Sequence, residues 1–359
     1  MQTAKDGRKK FDGIGGLKFA AIIFMFLWHS PVPKPPIDMG GRLCEFFFVV
    51  SGFLFCISRF RSADTVTLGS VVEYMRKKIV QMWPVHLVGF VAGLLLLPVG
   101  DWFLPKTLVN AFLNLTLLHS WVNSQYVFWG FNGVSWYLSS LMFAYVFGFL
   151  FLKLMRRVRH RWILYAVVFA VRYAFEAIPI HVPDLFWNVS AHISPIARAL
   201  EFALGMLTAD LFMKIDAASA KPMPRVLGSV LELGSLAGSV LIMLWAHQKW
   251  LRASYVPMFC VLTLCFAFDR GILSGFFSLK PIRWLSKFQL EIYLFHVLTF
   301  NWITYRYPLP KQMLIYSAVL ISAVVVYRLL LKRPLEKLVD VCTKRILHSK
   351  PKRINETEV

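Results

Sequence analysis

Residues 17–60 read LKFAAIIFMFLWHSPVPKPPIDMGGRLCEFFFVVSGFLFCISRF. Two apolar runs flank a turn that carries Pro31, Pro33, Pro35 and Pro36. Proline removes a backbone donor and clashes in a helix interior, so the pattern predicts helix, turn, helix. His29 closes the first helix and Glu45 opens the second. An imidazole and a carboxylate therefore flank one short loop, each within about a turn of the same interface. Ionisable groups at the edge of an apolar segment are costly unless they are partnered or do work, which makes these two the first functional candidates.

The rest of the chain extends the apolar reading. Of 359 residues, 57% are hydrophobic and 16% charged. A soluble fold of this length needs more charge to cover its surface. Ten spans are predicted, at about 14–30, 43–60, 79–99, 134–153, 161–179, 194–213, 226–246, 254–268, 287–304 and 311–331, giving an all-α polytopic membrane protein. Net charge is +21, which in a soluble protein would suggest nucleic acid. Here the basic residues alternate by connection: 29 Lys and Arg fall on one side and 7 on the other. That bias predicts cytoplasmic N and C termini and no nucleic-acid partner. Lys18, Arg172, Arg198 and Arg328 lie inside spans.

The expected organisation is a basic N-tail (1–13), a membrane domain (14–335) and a basic C-tail (336–359) ending in a disordered stretch, SKPKRINETEV. The basic N-terminus imitates a signal peptide, but no small-residue cleavage pattern follows, so the first span is read as retained. The connection 100–133 contains an apolar stretch, 108–121, too short to cross a bilayer and read as interfacial or re-entrant. Gly89-x-x-x-Gly93 and Gly234-x-x-x-Gly238 offer close helix packing. The cysteines, Cys44, Cys56, Cys260, Cys265 and Cys342, match neither a zinc site nor a disulfide framework, and no metal is expected.

Acyl transfer to a hydroxyl needs a base, a group that orients it, and donors for the oxyanion. His29 and Glu45 suit the first two tasks; equally, they fit an interfacial histidine and a helix cap. Arg76, Lys77 and Lys78 open the third span and could meet phosphates, though any basic loop at a cytoplasmic edge has this look. Arg198 and Glu201, three apart, share a helix face and can pair; Arg172 and Glu176 repeat the pattern. His86 and His296 sit inside spans and would have to face each other to hold a haem.

Several stretches resemble the acyltransferase-3 family, integral membrane acyltransferases of bacteria and some eukaryotes. GGLKFAAIIFMFLWHS resembles its first helix, EFFFVVSGFLF its second, MWPVHL the aromatic-Pro motif of its third and VSWYLSSLMFAY its Trp-x-Leu helix. ARALEFALGMLTA, LEIYLFHVL and KRPLEK resemble later motifs, in the family's order. Departures are Lys78 and Gln81 at the paired arginines, Leu141 and Met142 where a glutamate is common, and Lys332-Arg333-Pro334 for Glu-Arg-Pro.

The resemblance implies an O-acyltransferase of the plasma (inner) membrane. Acyl-CoA, as co-substrate rather than cofactor, would donate an acyl group, acetyl first among the candidates. A hydroxyl of a surface glycan or lipid-linked carbohydrate outside would accept it. The catalytic role falls on His29 with Glu45 as its acidic companion, donor contacts on Arg76, Lys77 and Lys78, and further substrate contacts on Ser51, Trp136, Arg198, Glu201 and His296. No attached soluble acyltransferase domain is expected, and pairing as a homodimer stays open. The competing reading is a non-enzymatic exporter built on the same spans.

Overall fold

The computed structural model describes residues 11–30, 39–60, 66–181, 192–219, 221–245, 253–303 and 309–348. The expected interior of the proline turn and the expected disordered end, SKPKRINETEV, lie outside the described residues. Every described element is helical. The long helices are α1 (Asp12–His29), α2 (Met39–Phe60) and α3 (Leu68–Leu94). The connection that follows holds α4 (Pro105–Leu115) and a short α5 (Gln125–Phe128). Next come α6 (Trp136–Arg157), α7 (Arg161–His181), α8 (Pro195–Ala218), α9 (Arg225–Trp245) and α10 (Tyr255–Ala267). Short α11 (Ile272–Phe277) and α12 (Lys280–Leu285) lead into α13 (Gln289–Ile303), α14 (Leu309–Val326) and α15 (Lys332–His348).

By length and composition, five described stretches can cross a membrane: Asp12–His29, Gly40–Arg59, Trp136–Arg157, Arg225–Trp245 and Lys311–Leu347. The chain is thus an all-helical protein with membrane character. The other expected spans correspond to helices too. Those of α7 and α8 contain arginines and acids, and α10 and α13 are short, with 13 and 15 residues.

Two boundaries differ from the sequence reading. The third helix starts at Leu68, because Thr67 and Ser70 form a reciprocal capping box there. Arg76, Lys77 and Lys78 therefore lie inside a helix rather than at its mouth. The expected C-tail is helical as far as His348: α14 passes through a π-helical stretch, Tyr327–Leu331, into amphipathic α15, which packs along α3.

The most extensive contact is between α2 and α8, and two glycines make it. A Cβ on Gly52 would stand 1.9 Å from the Phe202 carbonyl oxygen, and one on Gly205 would stand 1.9 Å from that of Val49. The two helices touch backbone to backbone, as small residues permit in an apolar medium. The glycine pairs expected from spacing act elsewhere. Gly93 receives the Phe131 carbonyl and Gly89 the Asn132 side chain, both from a loop; Gly238 meets Met258, and Gly234 meets nothing within 4 Å. Cys44, Cys56 and Cys260 are buried and no cysteine forms a disulfide among the described residues.

Candidate active site

The site grows from the end of α1. His29 occupies its last turn, half-buried, and its Nδ1 lies 2.9 Å from the carbonyl oxygen of Met25, one turn back. A carbonyl only accepts, so this contact fixes a hydrogen on Nδ1. The same Nδ1 lies 3.2 Å from Nε2 of His296 on α13, with ring centroids 4.9 Å apart. His296 is buried, and its Nδ1 donates to the Tyr293 carbonyl at 2.6 Å. Its own Nε2 therefore presents a lone pair to His29. The His29 N–H is shared between two neutral acceptors.

The backbone behind His296 is also held. Its carbonyl accepts from the Tyr316 hydroxyl at 2.8 Å and from Thr299 Oγ1 at 2.9 Å. Tyr316 stacks on Phe26 of α1, with centroids 4.6 Å apart. Thus α1, α13 and α14 clamp the two imidazoles.

Glu45 is fully buried and belongs to a separate cluster. Its Oε1 lies 3.0 Å from Arg42 and 3.8 Å from both Arg172 and Arg198. Glu201 accepts from Arg198 at 2.6 Å and from Arg172 at 2.8 Å, and Glu176 accepts from Arg172 at 3.0 Å. Three guanidinium groups and three carboxylates balance to zero charge. Glu45, expected to orient His29, makes no hydrogen bond to it among the described residues and is held by the arginines instead. Arginines outcompete a neutral ring for a buried carboxylate, because an unpaired ion there costs several kcal/mol, on the order of 3–5.

A cavity of about 200 Å³ opens between α1, α3, α6 and α13. Its lining includes Lys18, Lys78, Gln81 and Gln289, together with Ser51, Tyr137, Tyr145 and Tyr293. Lys78 also lies 4.8 Å from the centre of the Tyr145 ring and 5.4 Å from that of Tyr74. Tyr293 connects the cavity with the histidines: its ring centroid is 5.8 Å from that of His296 and 5.2 Å from that of Tyr137.

The profile of a family described as an acyltransferase domain matches residues 11–331. The chain belongs to the acyltransferase-3 family. It is similar to a protein of Streptomyces mycarofaciens named acyltransferase MdmB, with 28% identity over 280 residues, 74% of this chain and 69% of that one. No solved structure matches the chain. The protein is therefore an acyltransferase.

In this acyltransferase the expected site residues divide. His29 and His296 meet. Ser51 and Lys78 face the cavity, and so does Gln81, where the family's second arginine is replaced. Arg76 does not line the cavity: it forks onto Glu73 at 2.7 and 2.8 Å and reaches Asp340 of α15. Lys77 is exposed and pairs with Glu73 at 3.3 Å. Arg76 holds the Glu73 carboxyl down to about 2 by hydrogen bonding, and Asp340 is lowered by Lys344 and then Arg76. The basic run thus serves helix packing through Arg76 and the cavity through Lys78 alone.

Arg198 and Glu201 are wholly enclosed in the ionic cluster. Trp136 is buried, with its ring 4.7 Å from that of His192. The two histidines that a haem would need do not face each other. His296 faces His29, while Nε2 of His86 is 2.9 Å from the Asn114 carbonyl and its ring lies 6.3 Å from that of His119. Sequence reasoning missed Lys18 as a cavity residue, although a lone cation in an apolar span is itself a signal. It also missed the His29–His296 pairing, which joins positions 267 residues apart.

Proposed function

We propose that this protein is an O-acyltransferase of the plasma membrane that takes an acyl group, acetyl in the simplest case, from acyl-CoA. The acceptor is a hydroxyl of an extracytoplasmic carbohydrate or glycolipid. The observation that carries the reading is the His29 ring: a backbone carbonyl and a second imidazole hold its Nδ1 hydrogen, which assigns the role of base to Nε2 in this reading. In the ten-span arrangement with cytoplasmic ends, Lys18 and Lys78 face the cytoplasm and His29 the outer half.

Acyl-CoA then approaches the cavity, where Lys18 and Lys78 offer charge to its phosphates. The pantetheine arm lies along Ser51 and Tyr137 and brings the thioester up to Tyr293. His29 Nε2 removes the acceptor's hydroxyl proton as the oxygen attacks the thioester carbon. The new C–O bond forms, the C–S bond breaks, and the proton passes to the departing thiolate. His296 positions His29 and accepts from its Nδ1–H while the ring carries charge. Glu45, Arg198 and Glu201 hold α2, α7 and α8 in register around this path. A homodimer is not required by this scheme.

The test is mass spectrometry of surface glycans from cells lacking the gene, complemented with wild type or His29→Ala. An acyl mass increment restored by wild type and not by the variant, at equal membrane abundance, supports the reading. Equal restoration by both refutes it, and transport of an unmodified glycan by both favours the exporter.

A further inference from the structure

A second cleft, of about 580 Å³, lies between α7, α8 and α10, away from the histidines and the lysine cavity. Its floor is apolar, formed by Tyr165, Leu207, Leu211, Val261 and Leu264. Leu211 and Val261 are nearly half exposed at its edges, and Trp162 of α7 is 70% exposed beside it. In a membrane-embedded bundle these side chains face lipid. The volume falls in the range of about 300–1,000 Å³ typical of ligand clefts.

One end of the cleft is charged. Arg159 and Arg161 come from the turn into α7, and Lys214 from the last turns of α8. Asp210 stands between them, 2.8 Å from Lys214 and 3.7 Å from Arg161. Three fixed cations against one carboxylate leave two positive charges at the mouth of an apolar slot. Arg161 keeps buried guanidinium nitrogens, Nε and Nη1, with no hydrogen-bond acceptor among the described residues. The connection that supplies Arg159 and Arg161 belongs to the strongly basic set of loops, so the mouth lies at the headgroup level of the leaflet those loops border.

We propose that this cleft binds an anionic glycerophospholipid of that leaflet. One acyl chain lies on Leu207, Leu211 and Leu264 and the phosphate sits on Arg159, Arg161 and Lys214. Basic pockets between membrane helices hold such headgroups by charge, and the chain contributes apolar burial. A zwitterionic lipid gains less, because Asp210 is the mouth's lone carboxylate for its cationic group. The lipid would lock α7, which carries Arg172, against α10 and against α8, which carries the Arg198–Glu201 pair.

The test uses the full chain in detergent, titrated with phosphatidylglycerol, phosphatidylcholine or inorganic phosphate, read by native mass spectrometry and by thermal stability. Phosphatidylglycerol should stay bound and raise the melting temperature; phosphatidylcholine and inorganic phosphate should not. Each exposed cation removed, Arg159→Ala or Lys214→Ala, should weaken phosphatidylglycerol binding about fivefold. Leu264→Trp should block the chain with every cation in place. Arg157→Ala, an equal charge loss in the same connection outside the cleft, should leave binding unchanged. Equal loss in Arg157→Ala and Arg159→Ala would overturn the site in favour of diffuse surface charge. Equal binding of phosphatidylcholine would overturn the anionic headgroup, and displacement by inorganic phosphate would mark a phosphate site rather than a lipid site.

Discussion

Replacing His296 by Phe keeps a ring of similar size in a buried position and removes the acceptor facing His29. In the ground state His29 Nδ1–H then retains the Met25 carbonyl at 2.9 Å and loses the 3.2 Å contact. The loss matters most when Nε2 has taken the acceptor's proton and the ring is charged. A hydrogen bond from a charged donor contributes about 1.5–3 kcal/mol, and a contact of 3.2 Å belongs at the lower end. About 1.5–2 kcal/mol of lost transition-state stabilisation lowers kcat by roughly ten- to thirtyfold. Because the contact strengthens only as charge develops, kcat and kcat/KM should fall together with KM for acyl-CoA unchanged. His296→Gln returns an oxygen acceptor and should recover part of the loss. The assay is steady-state acyl transfer by purified protein, with melting temperature as the control for folding. Activity of His296→Phe within twofold of wild type, while His29→Ala is inactive, would refute the dyad.

Lys78→Met and Lys18→Met should each raise KM for acyl-CoA about tenfold or more with little change in kcat, since they meet the donor alone; Arg76→Met should leave that KM unchanged, as measured by the same kinetics. Gly52→Ala and Gly205→Ala each place a methyl against a backbone carbonyl that cannot rotate away. Each should cost at least the 1–3 kcal/mol or so of overpacking, and the double variant should cost less than the sum, because either one already parts the helices; thermal melts of the four proteins decide it. Glu45→Gln leaves Arg42, Arg172 and Arg198 short of one buried charge, so it should destabilise by about 3–5 kcal/mol and lower folded yield; a well-folded but inactive Glu45→Gln protein would instead return Glu45 to the chemistry. The Glu73 carboxyl is held at about 2 and Asp340 is also lowered. Ion pairs with depressed carboxyls stabilise above the ordinary carboxylate pKa, about 4.3, and are lost as pH falls through the folded value. Protection of the α15 amides, corrected for the intrinsic pH dependence of exchange, should therefore hold from pH 7 to about 4 and fall below it.

The helices, the family and the place of His29 at the end of the first helix were legible because each depends on local pattern: apolar length, a proline stop, a motif in order. The pairing of His29 with His296 was not, since it depends on how α1 crosses α13. Glu45 misled for a related reason. Its place in sequence, just past the turn from His29, says nothing about which way a helix turns its side chains, and α2 turns Glu45 toward α7 and α8. Arg76, Lys77 and Lys78 read as one patch, yet successive helix positions point about 100° apart, so only Lys78 faces the cavity. The spacing of Gly89 and Gly93 suggested a helix partner, whereas Gly52 and Gly205, 153 residues apart in number, make the closest approach between helices.

The division between the ionic cluster and the dyad follows from the medium. A lone carboxylate beside His29 would be a buried ion whenever the ring is neutral, and an unpaired buried charge is the costliest group a membrane helix can carry. A carbonyl and a second imidazole avoid that cost, because neither acceptor is a buried ion. The carboxylates are placed instead where three arginines neutralise them, and there they fix α2, α7 and α8. In the proposed reaction, charge would then appear at His29 only during the step itself. It disappears when the departing thiolate takes the proton, since alcohol and thioester give ester and thiol with no net change. Under the proposed mechanism a neutral dyad would let transfer proceed in an apolar region, with Lys18 and Lys78 left to meet the donor's phosphates.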